Sequence, residues 1–86
     1  MIAQRCFVYV LESLTEPDRH YTGLCTNVEE RLELHNNGLS HHTAKWRPWR
    51  LIVAIEFAEE VVAARFERYL KTGSGRAFAR RHFREH

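Results

Sequence analysis

Five side chains in this chain have the types and spacing that phosphodiester hydrolysis needs. Tyr9 and Tyr21 stand in two short apolar runs, Arg31 precedes His35 by four residues, and Glu67 comes later in the chain. An arginine fork fits the oxygens of a phosphate, a carboxylate holds Mg²⁺, and a phenol or an imidazole moves a proton. If the five side chains converge, they can activate a water, place positive charge next to the phosphoryl oxygens and assist departure of the leaving oxygen.

The metal ligand predicted by this reasoning is Glu67, and the general base stays open. Mg²⁺ keeps several waters and is commonly bound through one or two carboxylates plus substrate phosphate, so we expect one Mg²⁺ or Mn²⁺ ion at Glu67. A tyrosine has an ordinary pKa of about 10 and needs an adjacent cation to become a phenolate. His35 has an ordinary pKa of about 6.5, close to working pH. The base is therefore one of the phenols or the His35 imidazole.

Six short elements are predicted to position these side chains. Apolar, β-branched and aromatic runs predict strands, and apolar residues at helical spacing predict helices. The predicted strands cover 6–11, 20–25 and 51–57, and the predicted helices cover 28–37, 59–72 and 75–86. The order ββαβαα predicts one α/β (α+β) domain over 1–86, with a small three-stranded mixed or antiparallel sheet flanked by helices.

Local signals refine these boundaries. Asn27 is the predicted N-cap of the first helix and Gly38 its left-handed stop. Gly73 is predicted to end the second helix and Ser74 to cap the third. The nearly continuous apolar run 51–57 predicts a central strand that is covered on both faces.

Basic residues are concentrated towards the end of the chain. Residues 61–86 carry seven Lys or Arg against two acidic residues, although the whole chain has a net charge of only +2. Clustered Lys and Arg favour polyanions, because neutralised phosphates release counterions. A charged, solvated helix face gives the same count, so charge alone does not choose between the two interpretations. Trp46 and Trp49 are available to stack on bases or, for Trp49, to fill the core. The predicted nucleic-acid-binding residues are Lys45, Arg47, Arg50, Lys71, Arg76 and Arg80.

The two cysteines and the absence of a long apolar run suggest where the protein works. Cys6 and Cys25 are predicted to be reduced core residues, no secretory leader precedes them, and charged residues interrupt every apolar run. We therefore expect a cytoplasmic protein without a membrane span, as a monomer or a weak homodimer. A zinc site built from Cys25, His35, His41 and His42 is disfavoured, because their spacing does not match a structural site.

The order and spacing of these motifs closely resemble the GIY-YIG nuclease family, in its small single-domain branch. Segment 7–9 (Phe-Val-Tyr) stands at the first motif of the family and segment 21–23 (Tyr-Thr-Gly) at the second, and the similarity runs over about 6–83. Phe7 and Thr22 replace the glycine and the isoleucine of the motif name. The resemblance implies a ββαβα core and metal-dependent DNA cleavage. It places Tyr9, Tyr21, Arg31 and Glu67 at the catalytic positions, with His35 and Lys71 close by.

The resulting prediction is a metal-dependent endonuclease that hydrolyses DNA phosphodiester bonds in DNA repair or recombination, with a protein partner that supplies target choice. The alternative is a nucleic-acid-binding module of the same fold with little or no catalysis, and a protein-interaction role comes third. Glu67 discriminates between them, because a carboxylate repels phosphate unless a metal ion lies between the two. The sequence does not choose between branched, damaged, single-stranded and duplex substrates, or between DNA and RNA.

Overall fold

A computed structural model describes residues 5–84, and its elements follow the predicted order. No helix within this range is both long enough and apolar enough to cross a membrane. The strands are β1 (Cys6–Ser13), β2 (His20–Cys25) and β3 (Trp49–Phe57), and the helices are α1 (Val28–Asn36), α2 (Glu60–Leu70) and α3 (Gly73–Phe83), with a short 3-10 helix over Ala44–Trp46 before β3. The predicted order ββαβαα and the α+β class are therefore confirmed.

The sheet is antiparallel and has the strand order β2-β1-β3. β1 is the central strand, and its four residues 8–11 are all buried. The prediction that 51–57 forms the central strand is wrong, because β3 lies at an edge and leaves Leu51 and Ala54 exposed. Its apolar side chains are therefore half-buried or exposed at the edge of the sheet and are not enclosed on both faces.

Side chains of β1 alternate between two separate packing layers. Val8 and Val10 pack against the buried residues of α2 and α3. Tyr9 and Leu11 point to the opposite face, where Val28 and Leu32 of α1 pack. The sheet thus has α1 on one face and the α2–α3 pair on the other.

The ends of α1 follow the predicted caps. The Asn27 side-chain oxygen accepts a hydrogen bond from the backbone N–H of Glu30 at 3.0 Å. Gly38 has a φ of 74°, a left-handed conformation that glycine adopts without a steric penalty. Both sequence signals are confirmed.

The junction between α2 and α3 differs from the prediction. The hydroxyl of Thr72, not that of Ser74, accepts the capping hydrogen bond, which comes from the Gly75 N–H at 3.1 Å. Gly73 is therefore the first residue of α3 and not the end of α2, which stops at Leu70. Both Thr72 and Ser74 have the right chemistry for a cap, and a Cβ on Gly75 would overlap the Tyr69 carbonyl, so glycine allows the close turn that selects Thr72.

Polar contacts fix the long segment 37–48 between α1 and β3. The Asn36 amide accepts from the Trp49 N–H at 2.6 Å and donates to the Trp49 carbonyl at 3.0 Å. Ser13 donates to the Trp46 carbonyl at 2.6 Å, and the Trp49 indole N–H donates to the Thr43 carbonyl at 3.0 Å. The segment is consequently held against the α1 side of the sheet, where it completes the surroundings of His35.

Candidate active site

The hairpin and the end of α1 bring Tyr9, Tyr21 and His35 together, and we call these three residues the phenol cluster. The ring centroids of Tyr9 and Tyr21 are 6.1 Å apart, and the His35 ring lies 5.9 Å from Tyr9 and 4.8 Å from Tyr21. In the register of the hairpin, Tyr9 lies opposite Gly23 and Tyr21 lies opposite Leu11. Directly opposed residues point to the same face, so both phenols lie on the α1 side of the sheet.

The two phenols differ in how well solvent reaches them. Tyr9 is only 1% exposed, whereas Tyr21 is half-buried. Burial raises the pKa of Tyr9 well above its ordinary value, the neighbouring Tyr21 raises it further, and the charge of Arg31 opposes the increase only in part. Tyr9 therefore stays protonated as a hydrogen-bond donor, and Tyr21 is the phenol that a substrate can reach.

A chain of buried hydrogen bonds continues from Tyr9 into the segment after α1. The Tyr9 hydroxyl lies 2.9 Å from Nε2 of His35, and Nδ1 of His35 lies 2.7 Å from the Thr43 hydroxyl. The Thr43 hydroxyl donates to the Ser40 carbonyl at 3.4 Å, so it accepts from Nδ1–H, and Nε2 accepts from Tyr9. Burial, aided by the Arg31 charge, lowers the pKa of His35, which keeps the imidazole neutral as this arrangement requires.

Thr43 takes part in this series of buried hydrogen bonds, and the sequence did not predict its role. It is buried and lies eight residues after His35, in a segment with no periodic pattern. Neither its residue type nor its spacing distinguishes it from an ordinary loop threonine. Only the fold brings its hydroxyl to the imidazole.

Gly23 makes room for both phenols, which explains the Tyr-x-Gly spacing. A Cβ at this position would lie 2.7 Å from the Tyr9 hydroxyl oxygen and 3.0 Å from Cε2 of Tyr21. Both distances are shorter than ordinary van der Waals contact. A residue with a side chain here would displace the Tyr9 hydroxyl from His35.

Arg31 lies one helical turn before His35 and is exposed. Its charge lowers the pKa values of Tyr9 and His35, so the guanidinium is within electrostatic reach of the phenol cluster. It also opposes the increase that burial causes in the pKa of the Cys25 thiol. An exposed, permanently charged fork whose charge acts on Tyr9 and His35 is suited to bind the oxygens of a phosphate.

Glu67 lies in the other layer of the fold. It belongs to α2, its side chain is 14% exposed, and its carboxylate forms an ion pair with Lys71 one turn later. The structure therefore does not place Glu67 inside the phenol cluster. β2, which carries Tyr21, is an edge strand of the sheet.

The donors around Glu67 fit only certain metal ions. Within residues 5–84, no group of three or more His, Cys, Asp or Glu side chains forms a potential metal site. Glu67 offers one oxygen ligand in a largely buried setting, where the Lys71 ammonium already supplies a neighbouring positive charge. This donor set suits Mg²⁺ or Mn²⁺, whose remaining ligands come from water and substrate, and not a zinc ion that protein side chains enclose.

Three of the predicted nucleic-acid-binding residues come together. Lys71, Arg76 and Arg80 line one groove between β2, the end of α2 and α3. Arg84, which is not among the predicted binding residues, lines the same groove. Its spacing of four from Arg80, and of eight from Arg76, is the signal that would have found it.

The other three predicted basic residues lie elsewhere. Arg50 donates to Glu12 at 2.9 Å on the sheet, and the Lys45 ammonium lies 5.6 Å from the centre of the Trp46 ring. The Arg47 guanidinium packs against Gly38 at the end of α1. The six predicted residues thus do not form one continuous surface.

The two tryptophans are not equivalent. Trp49 is 4% exposed and belongs to the core, so its predicted availability for base stacking is wrong and the alternative core assignment is confirmed. Trp46 is half-buried, and the Arg19 guanidinium lies 4.2 Å from the centre of its ring. Its nearest stacking partner in the protein is thus a cation.

Comparison with known proteins identifies the family. Residues 5–81 match the family model of the GIY-YIG catalytic domain. The match covers most of the chain, and the chain therefore belongs to the GIY-YIG family. The resemblance inferred from the tyrosine motifs is confirmed.

Relatives and a solved structure agree with this assignment. The chain is similar to the structure-specific endonuclease subunit SLX1 of Debaryomyces hansenii, with 37% identity over an alignment of 71 residues; the match covers 74% of this chain and 20% of the relative. The SLX1 protein of Candida dubliniensis is 34% identical over an alignment of 71 residues, and the match covers 74% of this chain and 25% of that protein. The solution NMR structure of the UPF0213 protein from Bacillus halodurans gives a TM-score of 0.52 at 27% identity and covers 86% of this chain and 80% of that one. This chain spans about a fifth to a quarter of the length of the two SLX1 relatives.

Proposed function

We propose that this chain is a divalent-metal-dependent endonuclease domain that hydrolyses DNA phosphodiester bonds in DNA repair or recombination. The observation that carries the proposal is the phenol cluster with its buried hydrogen-bond chain and the exposed Arg31 beside it, in a chain that belongs to the GIY-YIG family. A module that only binds nucleic acid does not require a buried Tyr9–His35–Thr43 chain.

The geometry favours a division of labour within the phenol cluster. Tyr21 is the accessible phenol, and we assign to it the contact with the attacking water or the phosphate. Tyr9 is buried with a raised pKa, and both ring nitrogens of His35 are engaged in hydrogen bonds, so neither group reaches a water easily. Tyr9 and His35 therefore hold the position of Tyr21, and Arg31 binds the phosphoryl oxygens.

Glu67 is the residue that would hold Mg²⁺ or Mn²⁺. Such an ion supplies positive charge to the phosphoryl oxygens and the leaving oxygen. Glu67 would hold the ion in place of its ion pair with Lys71. Lys71 lines the groove next to α3, so its ammonium remains available to a phosphate after the exchange.

The names of the relatives support a particular class of substrate. The SLX1 proteins are called structure-specific endonuclease subunits. We extend this to the present chain as a proposal: the domain cuts branched DNA, and a partner protein supplies target choice. The domain itself is proposed to be a monomer or a weak homodimer.

A cleavage assay tests the proposal directly. Purified protein is incubated with supercoiled plasmid, single-stranded DNA and branched DNA in Mg²⁺, Mn²⁺ or EDTA. We expect metal-dependent cutting that falls by about 10²-fold or more in Tyr21→Phe, Arg31→Ala and Glu67→Gln, since removal of a positioned catalytic group typically has that effect. Glu33→Gln is the matched control, because Glu33 is an exposed carboxylate of α1.

Circular dichroism establishes that each variant is folded. Cutting that survives in folded Glu67→Gln at the wild-type rate contradicts the assigned metal ligand, and cutting in EDTA contradicts the metal dependence. DNA binding without cutting, under every condition, favours the nucleic-acid-binding module instead.

A further inference from the structure

A groove of about 550 Å³ lies between β2, the C-terminal end of α2 and α3, and we call it the basic groove. Val10 and Thr22, which are paired across β1 and β2, form part of its floor with Leu70 and Ala79. Val10 points to the α2–α3 side of the sheet, so the basic groove lies on the face opposite the phenol cluster. The polar residues around it are Asp18, Arg19, His20, Tyr21, Lys71, Arg76, Arg80 and Arg84.

Three arginines of α3 and its C-terminal end line the basic groove. Arg76 and Arg80 are four residues apart on α3 and project from one side of the helix about 6 Å apart along its axis, and Arg84 follows directly after the last helical residue. Among residues 5–84, no carboxylate lies within the 4 Å of an ion pair from any of the three guanidinium groups. By contrast, Lys71 pairs with Glu67.

Like charges on one helix face repel each other, and a bound anion reduces this repulsion. The proximity of Arg84 to Arg80 is visible in the lowered pKa of Arg84, which results from partial burial first and from the Arg80 charge second. Arg19 and Lys71 form ion pairs with Glu16 and Glu67, which leaves one lining carboxylate, Asp18, against three guanidinium groups. The electrostatics therefore suit a ligand that carries several phosphates.

The size of the groove distinguishes a single strand from a duplex. Its volume is in the range of about 300–1,000 Å³ that is usual for pockets holding one drug-sized molecule. A double helix, whose major groove alone is about 12 Å wide, does not fit as a whole into a groove of about 550 Å³. The backbone of one strand can enter it.

We propose that the basic groove binds the backbone of a single-stranded DNA arm and leads it around the edge of β2 to the phenol cluster. Tyr21 connects the two sites, because it is a member of the phenol cluster and also lines the basic groove. The proposal rests on the proposed nuclease function and specifies its substrate: a branched DNA with a single-stranded arm.

Binding of a labelled oligonucleotide tests this proposal without any need for cleavage. Fluorescence anisotropy is measured with a labelled single-stranded oligonucleotide of about 20 nucleotides in EDTA, at several salt concentrations. A triple variant that removes the groove arginines is compared with a triple variant that removes three exposed arginines of α2 and α3 outside the groove. The two variants are Arg76→Ala/Arg80→Ala/Arg84→Ala and Arg65→Ala/Arg68→Ala/Arg81→Ala, which lose the same charge.

We expect the groove variant to bind at least about 10-fold more weakly and to reduce the slope of log affinity against log salt by about 2, since each phosphate contact to a single strand contributes about 0.7. The control variant should change affinity by less than about 3-fold. If circular dichroism shows that the groove variant is unfolded, the single exchange Arg80→Gln replaces it, with Arg81→Gln as its control and a slope change of about 0.7.

Equal weakening in the two variants, an unchanged salt slope in the groove variant, or equally strong competition by a blunt duplex overturns the proposal. Failure of the nuclease function gives a different result. In that case the groove variant still loses binding, but no protein cuts DNA in Mg²⁺ or Mn²⁺. Glu67→Gln, conversely, is expected to keep single-strand binding in EDTA while it loses cleavage.

Discussion

Replacement of Gly23 by alanine tests whether the space opposite Tyr9 is as limited as the structure indicates. The new Cβ would lie 2.7 Å from the Tyr9 hydroxyl, and ordinary contacts begin at 3.4 Å, so the hydroxyl has to retreat by about 0.7 Å. The phenol is rigid and buried, and its hydroxyl is held 2.9 Å from His35. The retreat consequently breaks a buried hydrogen bond.

The cost of Gly23→Ala follows from three contributions. Loss of the buried hydrogen bond costs about 1–3 kcal/mol, and overpacking costs about 1–3 kcal/mol. The lower entropy of the unfolded chain offsets about 0.4–1 kcal/mol of this. The expected decrease in the free energy of unfolding is therefore about 1–5 kcal/mol, or a fall in Tm of at least about 5 °C for a domain of this size.

Gly73→Ala is the matched control. A Cβ on Gly73 would meet no atom within 4 Å, and Gly73 is the first residue of α3. We expect this variant to gain about 0.4–1 kcal/mol, because alanine restricts the unfolded chain and favours the helix.

The assay is thermal and urea unfolding of both variants, followed by DNA cleavage at a temperature where both are folded. Cleavage by Gly23→Ala should fall because the new Cβ also crowds Tyr21. A Gly23→Ala protein whose Tm lies within about 2 °C of the wild-type value, and which cuts DNA at the wild-type rate, refutes the described position of the Tyr9 hydroxyl.

Three further predictions concern neighbouring contacts. Thr43→Val leaves the buried Nδ1–H of His35 without an acceptor and should cost about 1–3 kcal/mol in urea unfolding, whereas Thr43→Ser should keep both stability and cleavage. Equal behaviour of the two variants contradicts the Thr43–His35 hydrogen bond. Burial and the nearby arginine lower the pKa of His35 below its ordinary 6.5, so the unfolded chain binds the extra proton and stability should fall as pH drops from about 6.5 through the lowered value. His35→Gln should flatten this pH dependence in urea unfolding at pH 7.5 and 5, unlike the exposed control His82→Gln, and an unchanged slope would show that His35 is not the responsible group. Gly75→Ala should destabilise by about 2–3 kcal/mol, because its Cβ meets backbone atoms of Tyr69 that cannot move aside, and a stability equal to that of the wild type would contradict the close turn.

Most helices and strands could be predicted from the sequence because their signals depend on a few adjacent residues. The Asn27 cap and the left-handed Gly38 are properties of a few adjacent residues, and the structure has both. The choice between Thr72 and Ser74 as a cap depended on a close approach of Gly75 to α2, which no local pattern encodes.

The position of a strand within the sheet is a longer-range property. The segment 51–57 is the most apolar run in the chain, but β1 takes the middle because β2 and β3 both pair with it. Apolar content predicts that a segment will be buried, but not which of its faces will be covered. The exposed Leu51 shows the difference.

The candidate site was accessible to sequence reasoning only in part. The alternation of side chains along the hairpin puts Tyr9 and Tyr21 on one face of the sheet, and α1 packs on the same face and brings His35 next to them. The layer that holds Glu67 depends on how α2 packs, and the contact between Thr43 and His35 depends on how a long segment folds back. Both are tertiary properties without a sequence period.

The burial of Tyr9 has a consequence for protein engineering and for the reading of mutational data. One phenol fills the core beneath α1 and also fixes the imidazole next to the site, so a change there alters packing and chemistry together. A deep mutational scan that scores survival will therefore assign the same intolerance to Tyr9, Gly23 and Thr43 as to Arg31, although Arg31 alone is exposed. Designs that replace the polar groups of this core by apolar ones to raise stability will lose activity. Among such designs, we expect a higher Tm to accompany a lower turnover rate.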